Sequence, residues 1–301
     1  MKPVVKICIC AVVAAALIAA LCVLLIPAAR WSLPDVLHFG DSYSDESSYQ
    51  IGADTVNAAV DSLELHWSSG EIHITTHKGS GVILTESGYA NERQQLRWRV
   101  KDGKLIVREC ASGLNWSLPR KTLEVSLPEG SYHEISLDVA SAVMTLSGRL
   151  SLDKLDVDSA SGSLTAEGLT ITEVSFDSAS GSCTLTDCTV AEFEMDTASG
   201  RATLSGSFDA VELDSASGDL ELHTAVVPRK ISTETVSGSS YLYLPADAEF
   251  RASLDAISGD LNVEDFDGSY RGGEFYCGGA AANEYKFESV SGDVTICKEK
   301  R

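Results

Sequence analysis

The chain repeats Asp-Ser-Ala-Ser-Gly at 158–162, 177–181 and 214–218, and Asp-Thr-Ala-Ser-Gly at 196–200. Looser copies of the phrase end at glycines 238, 259 and 292. The corner glycines are therefore Gly162, Gly181, Gly200, Gly218, Gly238, Gly259 and Gly292. The first six are spaced 18 to 21 residues apart. A nearly fixed period of this size is typical of stacked repeat proteins, so this phrase decides the architecture.

Apolar and polar residues alternate on both sides of each corner. Val174 and Phe176 precede Gly181, for example, and Cys183 and Leu185 follow it. A period of two predicts half-buried strands. One such unit cannot bury its apolar row alone, so units must stack with like residues about 4.8 Å apart. We predict an all-β fold, a parallel β-solenoid with rungs of 18–21 residues.

The corners carry two further expectations. Glycine permits positive φ, and we expect the corner glycines to use that freedom in a tight turn. Three residues before the glycine stands a small residue, such as Ser159 or Ser178. By parity it points inward, which predicts a ladder of hydroxyl groups along the corner.

A charge-free apolar stretch runs from residue 7 to 26, after Lys2 and Lys6. Twenty residues in a helix span about 30 Å, the thickness of the hydrocarbon layer of a bilayer. We predict a transmembrane anchor with residues 1–6 in the cytoplasm and the bulk of the chain outside the cell. The alternative is a signal peptide cleaved near Pro27-Ala28-Ala29.

The chain has 44 acidic and 23 basic residues and a net charge of −21. This charge repels nucleic acid, so nucleic acid is not an expected partner. The cysteines outside the apolar stretch are Cys110, Cys183, Cys188, Cys277 and Cys297. An odd number without regular spacing favours free thiols, although Cys183–Cys188 or Cys277–Cys297 bridges remain open.

The pattern divides the chain into consecutive regions. They are a linker at 27–54, an irregular β region capping the coil at 55–134, the solenoid at 135–297 and a charged tail at 298–301. An aromatic, glycine-rich insertion at 267–285 interrupts the solenoid. Glu288–Cys297 is predicted to form the final rung of the coil.

Three features together resemble a known family: the N-terminal span, the stretch Lys121-Thr-Leu-Glu-Val-Ser-Leu-Pro128, and the Asp-x-x-Ser-Gly-Asp/Ser corners. The chain resembles, over about 55–297, the bacterial "putative adhesin" β-strand-repeat family, domain of unknown function family 4097. The resemblance implies a cell-envelope protein, in some members one linked to envelope-stress sensing. It supplies no catalytic motif and no cofactor.

One acidic residue stands four positions before each corner glycine. These residues are Asp158, Asp177, Asp196, Asp214, Glu234, Asp255 and Glu288. Stacked rungs would align them in a row. A solvated row of turn-capping acids is the main interpretation, and a weak Ca²⁺ site at Asp158, Asp177, Asp196, Asp214 and Asp255 is the alternative.

The insertion offers the candidate binding residues Tyr270, Arg271, Phe275 and Tyr276. Aromatic side chains on a loop of a rigid scaffold often carry recognition, but here they could equally pack over the end of the coil. The repeated acids and the single post-corner Arg201 do not form a catalytic group. We therefore predict a non-catalytic binding, adhesion or envelope-sensing module that contacts an envelope protein or glycan. A structural spacer and a carbohydrate-active enzyme are the alternatives.

Overall fold

The computed structural model describes residues 46–89, 92–109, 121–279 and 283–299. Within these ranges the only helices are two short 3₁₀ turns, Glu46–Ser48 and Glu92–Gln94. No helix in the described part of the chain is long and apolar enough to span a bilayer. The predicted anchor at 7–26 lies outside the described residues.

Strands make up nearly all of the described chain, which confirms the all-β prediction. The first eleven are β1 (Gln50–Ile51), β2 (Asp54–Val56), β3 (Ser62–His77), β4 (Val82–Ser87), β5 (Arg97–Lys101), β6 (Lys104–Arg108), β7 (Lys121–Pro128), β8 (Gly130–Ser147), β9 (Leu150–Ser159), β10 (Ser163–Glu167) and β11 (Thr170–Ser178). The others are β12 (Cys183–Thr197), β13 (Arg201–Ser215), β14 (Asp219–Thr224), β15 (Lys230–Thr235), β16 (Ser240–Leu244), β17 (Phe250–Ser258), β18 (Leu261–Val263), β19 (Gly268–Arg271), β20 (Glu274–Cys277), β21 (Glu284–Ser291) and β22 (Val294–Lys298).

Each rung consists of two extended segments joined at the repeated corner. The segments before the corner pair in one parallel ladder, ladder A, and those after it pair in a second, ladder B. The register places like beside like: Phe176 lies between Val157 and Met195 of the neighbouring rungs. Inward side chains of both ladders form one hydrophobic core. The predicted solenoid-like stacking of short rungs is confirmed.

The corner glycines are needed for close backbone approach. Only Gly259 among the seven has positive φ, at 151°, so the prediction of positive φ is wrong for the other six. A Cβ on Gly200 would lie 2.1 Å from the carbonyl oxygen of Gly181, and one on Gly181 equally close to that of Gly162. Consecutive corners stack so closely that there is no space for a side chain.

The predicted hydroxyl ladder is present along this corner. Its members are Ser159, Ser178, Thr197, Ser215, Thr235 and Ser289, all buried. Ser178 Oγ accepts a hydrogen bond from the Gly181 N–H at 2.7 Å, and Ser215 Oγ accepts one from the Gly218 N–H at 3.0 Å. Ser159, Ser178 and Ser215 thus satisfy backbone donors that the turn would otherwise leave buried and unpaired, whereas the Thr197 and Ser289 hydroxyls are buried without a hydrogen-bond partner in the described chain.

At the N-terminal end of the coil, β3 forms an early rung. It runs parallel to β8, with Gly70 opposite Ala142, so Ala142 takes the corner position that glycine holds in the later rungs. Antiparallel strands cap this end, including the β5–β6 hairpin with Asp102 and Gly103 at positive φ. A buried ion pair fastens the cap, because Lys121 Nζ lies 3.0 Å from Glu86 Oε1.

The C-terminal rung lies inside the stack. Strand β21 pairs with β15 on one side and with β17 on the other, and β22 lies between β16 and β18. We call β21 and β22 the inserted rung. The prediction that Glu288–Cys297 forms the final rung is therefore wrong: this segment is the last rung in the sequence but does not lie at the end of the coil. The final rung is β17–β18, and the β19–β20 hairpin extends ladder A beyond it.

The four cysteines of the described coil are free thiols. Cys183, Cys188 and Cys277 are buried, and Cys297 is partly exposed. Burial raises the pKa of the Cys183 thiol far above its usual range. A thiol held protonated in the core packs as a small apolar group.

Candidate functional site

The insertion forms a β-hairpin on the last rung. Strand β20 pairs antiparallel with β17, and β19 pairs with β20. Pairing places Tyr276 opposite Arg251, and both side chains lie on the outer face of ladder A. The hairpin is therefore fixed to the coil by a regular sheet, so its outward side chains have defined positions.

The four predicted binding residues have different surroundings. Phe275 is buried at 5% exposure and packs against Phe250, with ring centroids 6.0 Å apart. Tyr270 is 57% exposed, and its hydroxyl donates a hydrogen bond to the Leu261 carbonyl at 2.9 Å. The side chain of Phe275 thus belongs to the core, whereas Tyr270 covers the end of the coil and still faces solvent.

A groove of about 410 Å³ lies where the hairpin meets β17; we call it the terminal groove. Its lining includes Arg251, Asp267, Ser269, Arg271, Tyr276 and Gly278. The structure therefore brings Arg271 and Tyr276 together with Arg251, which comes from a repeat rung. The sequence pattern did not single out Arg251, because it stands at an ordinary outward position of a strand.

The two arginines of the groove differ in their partners. Arg251 forms an ion pair with Glu284 and lies 3.9 Å from Glu274. The guanidinium carbon of Arg271 lies 5.9 Å from the centre of the Tyr276 ring, and no carboxylate pairs with it among the described residues. Arg271 therefore presents an uncompensated positive charge at the groove.

The predicted row of acids extends along the outer face of ladder A; we call it the acid row. In spatial order it contains Asp138, Asp158, Asp177, Asp196, Asp214, Glu234, Glu288 and Asp255. His66 closes one end, with its Nδ1 atom 3.3 Å from Asp138 Oδ2. Asp255 and Glu288 exchange places relative to the sequence because of the inserted rung.

Burial and mutual repulsion make the middle of this row costly to ionise. Burial, and then the charges of neighbouring acids in the row, raise the pKa of Asp177 and of Asp214 to about 7. At the end of the row, burial alone would lower the pKa of His66, but hydrogen bonds to Asp138 and Glu64 raise it to about 9. The hydrogen bond to His66 lowers the pKa of Glu64 to about 2, against the opposing effect of burial.

These shifts predict that the protein is more stable at pH 5.5 than at pH 8.5. The stability linked to Asp177 and Asp214 is complete below about pH 4 and is lost as the pH rises through 7. That linked to His66 is complete below about 6.5 and is lost on rising through 9, whereas that linked to Glu64 falls only below about 4.5. Thermal unfolding across this pH range measures the effect.

Matched variants test whether the acid row is the source of this pH dependence of stability. Asp177→Asn and Asp214→Asn are each expected to stabilise the fold at pH 8.5, by about 1 kcal/mol after allowance for solvent screening. Both should flatten the pH dependence. Asp247→Asn, which removes the same charge from an exposed turn outside the row, should not change the pH dependence. An equal pH response in all three variants would refute the role of the row.

No group of three or more His, Cys, Asp or Glu side chains in the described chain has the arrangement of a metal site. The acids of the row are held one per rung, about 4.8 Å apart along the coil. Calcium requires six to eight oxygen ligands around one point. The Ca²⁺ alternative at this row stays a prediction.

Ladder B carries an aromatic patch that the sequence analysis missed. Tyr243 stacks on His223 with ring centroids 4.1 Å apart, and Tyr241 beside them is 43% exposed. His223 also contacts Glu299, with 2.9 Å between Nδ1 and Oε2. The sequence did contain a signal for this patch, because Tyr241 and Tyr243 are two residues apart on a strand and therefore lie on the same face.

Fold and site together define the class: a β-solenoid-like coil of parallel rungs with a hairpin-built groove at one end. The family described as Toastrack DUF4097 matches residues 60–297, and the chain belongs to that family. This confirms the resemblance drawn from the corners. No curated protein sequence matches the chain.

Three crystal structures are similar to the chain. They are a "putative cell adhesion protein" from Clostridium sporogenes (14% identity, 83% of this chain and 100% of that chain, TM-score 0.25), a "putative adhesin" from Bacteroides fragilis (13%, 82% and 97%, 0.45) and a "putative lipid binding protein" from Parabacteroides distasonis (12%, 84% and 95%, 0.47). At these identities and TM-scores the functions of those proteins do not carry over to this chain.

Proposed function

We propose that this chain is a non-catalytic binding module of the bacterial cell envelope, in which the coil is a rigid scaffold and the terminal groove is the recognition site. The observation that carries the proposal is the composition of the groove. It combines an exposed cation, Arg271, with an aromatic ring, Tyr276, on a hairpin fixed to the core. Binding sites commonly place such side chains on a rigid support.

Membrane attachment is part of the proposal. The apolar stretch at 7–26 would anchor the chain in the membrane with the coil outside, where it meets envelope proteins and glycans. The acidic coil suits this position, because its charge keeps the exposed repeats soluble and apart from the anionic membrane surface. Protease digestion of intact cells would degrade the coil under this arrangement and leave it intact under the reverse one.

The test of function is retention of the full chain, in detergent, on purified envelope material. We expect Tyr270→Ala/Arg271→Ala to reduce retention at least tenfold, because both side chains are exposed at the hairpin. Arg201→Ala is the control, since Arg201 lies on ladder B and pairs with Asp219 at 3.1 Å. Retention that survives the double change would contradict the site, and absence of retention for the unmodified chain would favour a structural spacer.

A further inference from the structure

We infer that the terminal groove binds a sugar unit that carries a carboxylate, such as a uronic acid within a longer glycan. The inference rests on the proposed function and names the ligand of that site. It comes from the charge and the hydrogen-bonding groups of the groove, taken together with its size.

The uncompensated cation sets the first requirement. Two other arginines on the coil are paired: Arg201 lies 3.1 Å from Asp219, and Arg229 lies 3.4 Å from Asp209. Arg271 has no such partner in the described chain, and its guanidinium faces Tyr276. A guanidinium binds a carboxylate through two parallel hydrogen bonds, so a carboxylate on the ligand would complete its coordination.

Local charge makes this requirement specific. The protein has a net charge of −21, which repels anions from most of its surface. Of the two lining arginines, Arg251 is already paired with Glu284 and lies 3.9 Å from Glu274, so Arg271 is the lining cation that is left without an ion-pair partner in the described chain. An anionic ligand is therefore expected to bind at this end of the coil in preference to the acid row.

The remaining groups of the groove suit a sugar ring. Asp267 can accept hydrogen bonds from ring hydroxyls, and the Ser269 hydroxyl can donate or accept. The phenol ring of Tyr276 lies half-buried in the lining and offers an apolar surface to a ligand. Gly278 leaves the rim without a side chain. A volume of about 410 Å³ lies within the range of about 300–1,000 Å³ usual for small-molecule sites.

The experiment is calorimetric titration of the full chain in detergent with tetragalacturonic acid. A neutral tetrasaccharide, maltotetraose, and a glycerol-phosphate oligomer of similar length are the comparison ligands. We expect the uronate to bind at least tenfold more tightly than the neutral sugar. Arg271→Ala should remove this preference. Arg271→Lys should keep part of it, because lysine retains the charge but lacks the paired N–H donors of the guanidinium. Arg201→Ala should keep all of it.

Each other outcome overturns the inference in a recognisable way. Equal binding of neutral and acidic sugars would show that the groove does not recognise the carboxylate. Preference for the phosphate oligomer would assign the site to a phosphodiester polymer. No binding of any of the three, with retention on envelope material intact, would reject the sugar ligand but leave the proposed function standing. Loss of retention as well would reject both.

Discussion

Gly200→Ala is expected to destabilise the coil by about 3 kcal/mol, at the upper end of the cost of overpacking a core. The new methyl group would lie 2.1 Å from the carbonyl oxygen of Gly181, and two such atoms cannot approach within 3 Å without backbone movement. The corner cannot move freely, because the Ser199 N–H donates to the Ala179 carbonyl at 3.1 Å in the preceding rung. The disturbance would therefore spread to both neighbouring rungs.

Chemical unfolding followed by circular dichroism measures this cost. Gly279→Ala is the matched control, since no heavy atom lies within 4 Å of a Cβ at that position and its φ is not positive. It should unfold at the same denaturant concentration as the unmodified chain. If Gly200→Ala did so too, the close stacking of the corners would be refuted.

Deleting residues 283–301 is expected to unfold β17 to β20 and leave the coil up to β16 folded. Strand β17 pairs with β21 and β20 and has no pairing with β15, while β18 pairs only with β22. Without the inserted rung β17 keeps only its antiparallel pairing with β20 and β18 loses its partner, so the strands that form the terminal groove are no longer attached to the coil. Amide hydrogen exchange should show the loss of protection in β17 and β18. Retained protection there would mean that β17 can stack directly on β15.

Cross-linking tests the underlying strand order in the intact chain. Ser232 and Lys286 are register partners, about 4.8 Å apart across parallel strands, so cysteines at these positions can form a disulfide. Ser253 also lies beside Lys286, on its other side. Cysteines at 232 and 253 are then two strand spacings apart, too far for a bond. If cysteines at 232 and 253 formed a disulfide and those at 232 and 286 did not, β17 would lie next to β15 and the rungs would stack in sequence order.

The repeated phrase was sufficient to predict the rungs, because alternation and period both depend on local sequence. Phe176 and its neighbours stack as the spacing required. The role of the corner glycines was not predictable, since the sequence cannot tell whether a glycine adopts an unusual φ or admits a neighbouring backbone. Gly200 does the second, and Gly259 combines positive φ with the same close approach.

The order of the rungs in space could not be predicted from the sequence either. Every rung presents the same pattern to its neighbours, so the rung that contains Phe287 fits beside Thr233 as well as beside Leu254. For the same reason the groove was only half predicted. Tyr270 and Arg271 stood out because they interrupt the repeat, whereas Arg251 is part of it and reaches the groove only through the pairing of β17 with β20.

The inserted rung also constrains the order in which parts of the fold can form during synthesis. A ribosome delivers the chain from its N-terminus, so β17, β18 and the hairpin emerge before the strands that hold them. Strands β15 and β16 can pair with the preceding rung once they have emerged, whereas β17 and β18 have no partner in the coil until β21 and β22 follow. The terminal groove consequently cannot form before β21 and β22 have emerged. A nascent or truncated chain could present a long, well-folded coil and still lack the groove.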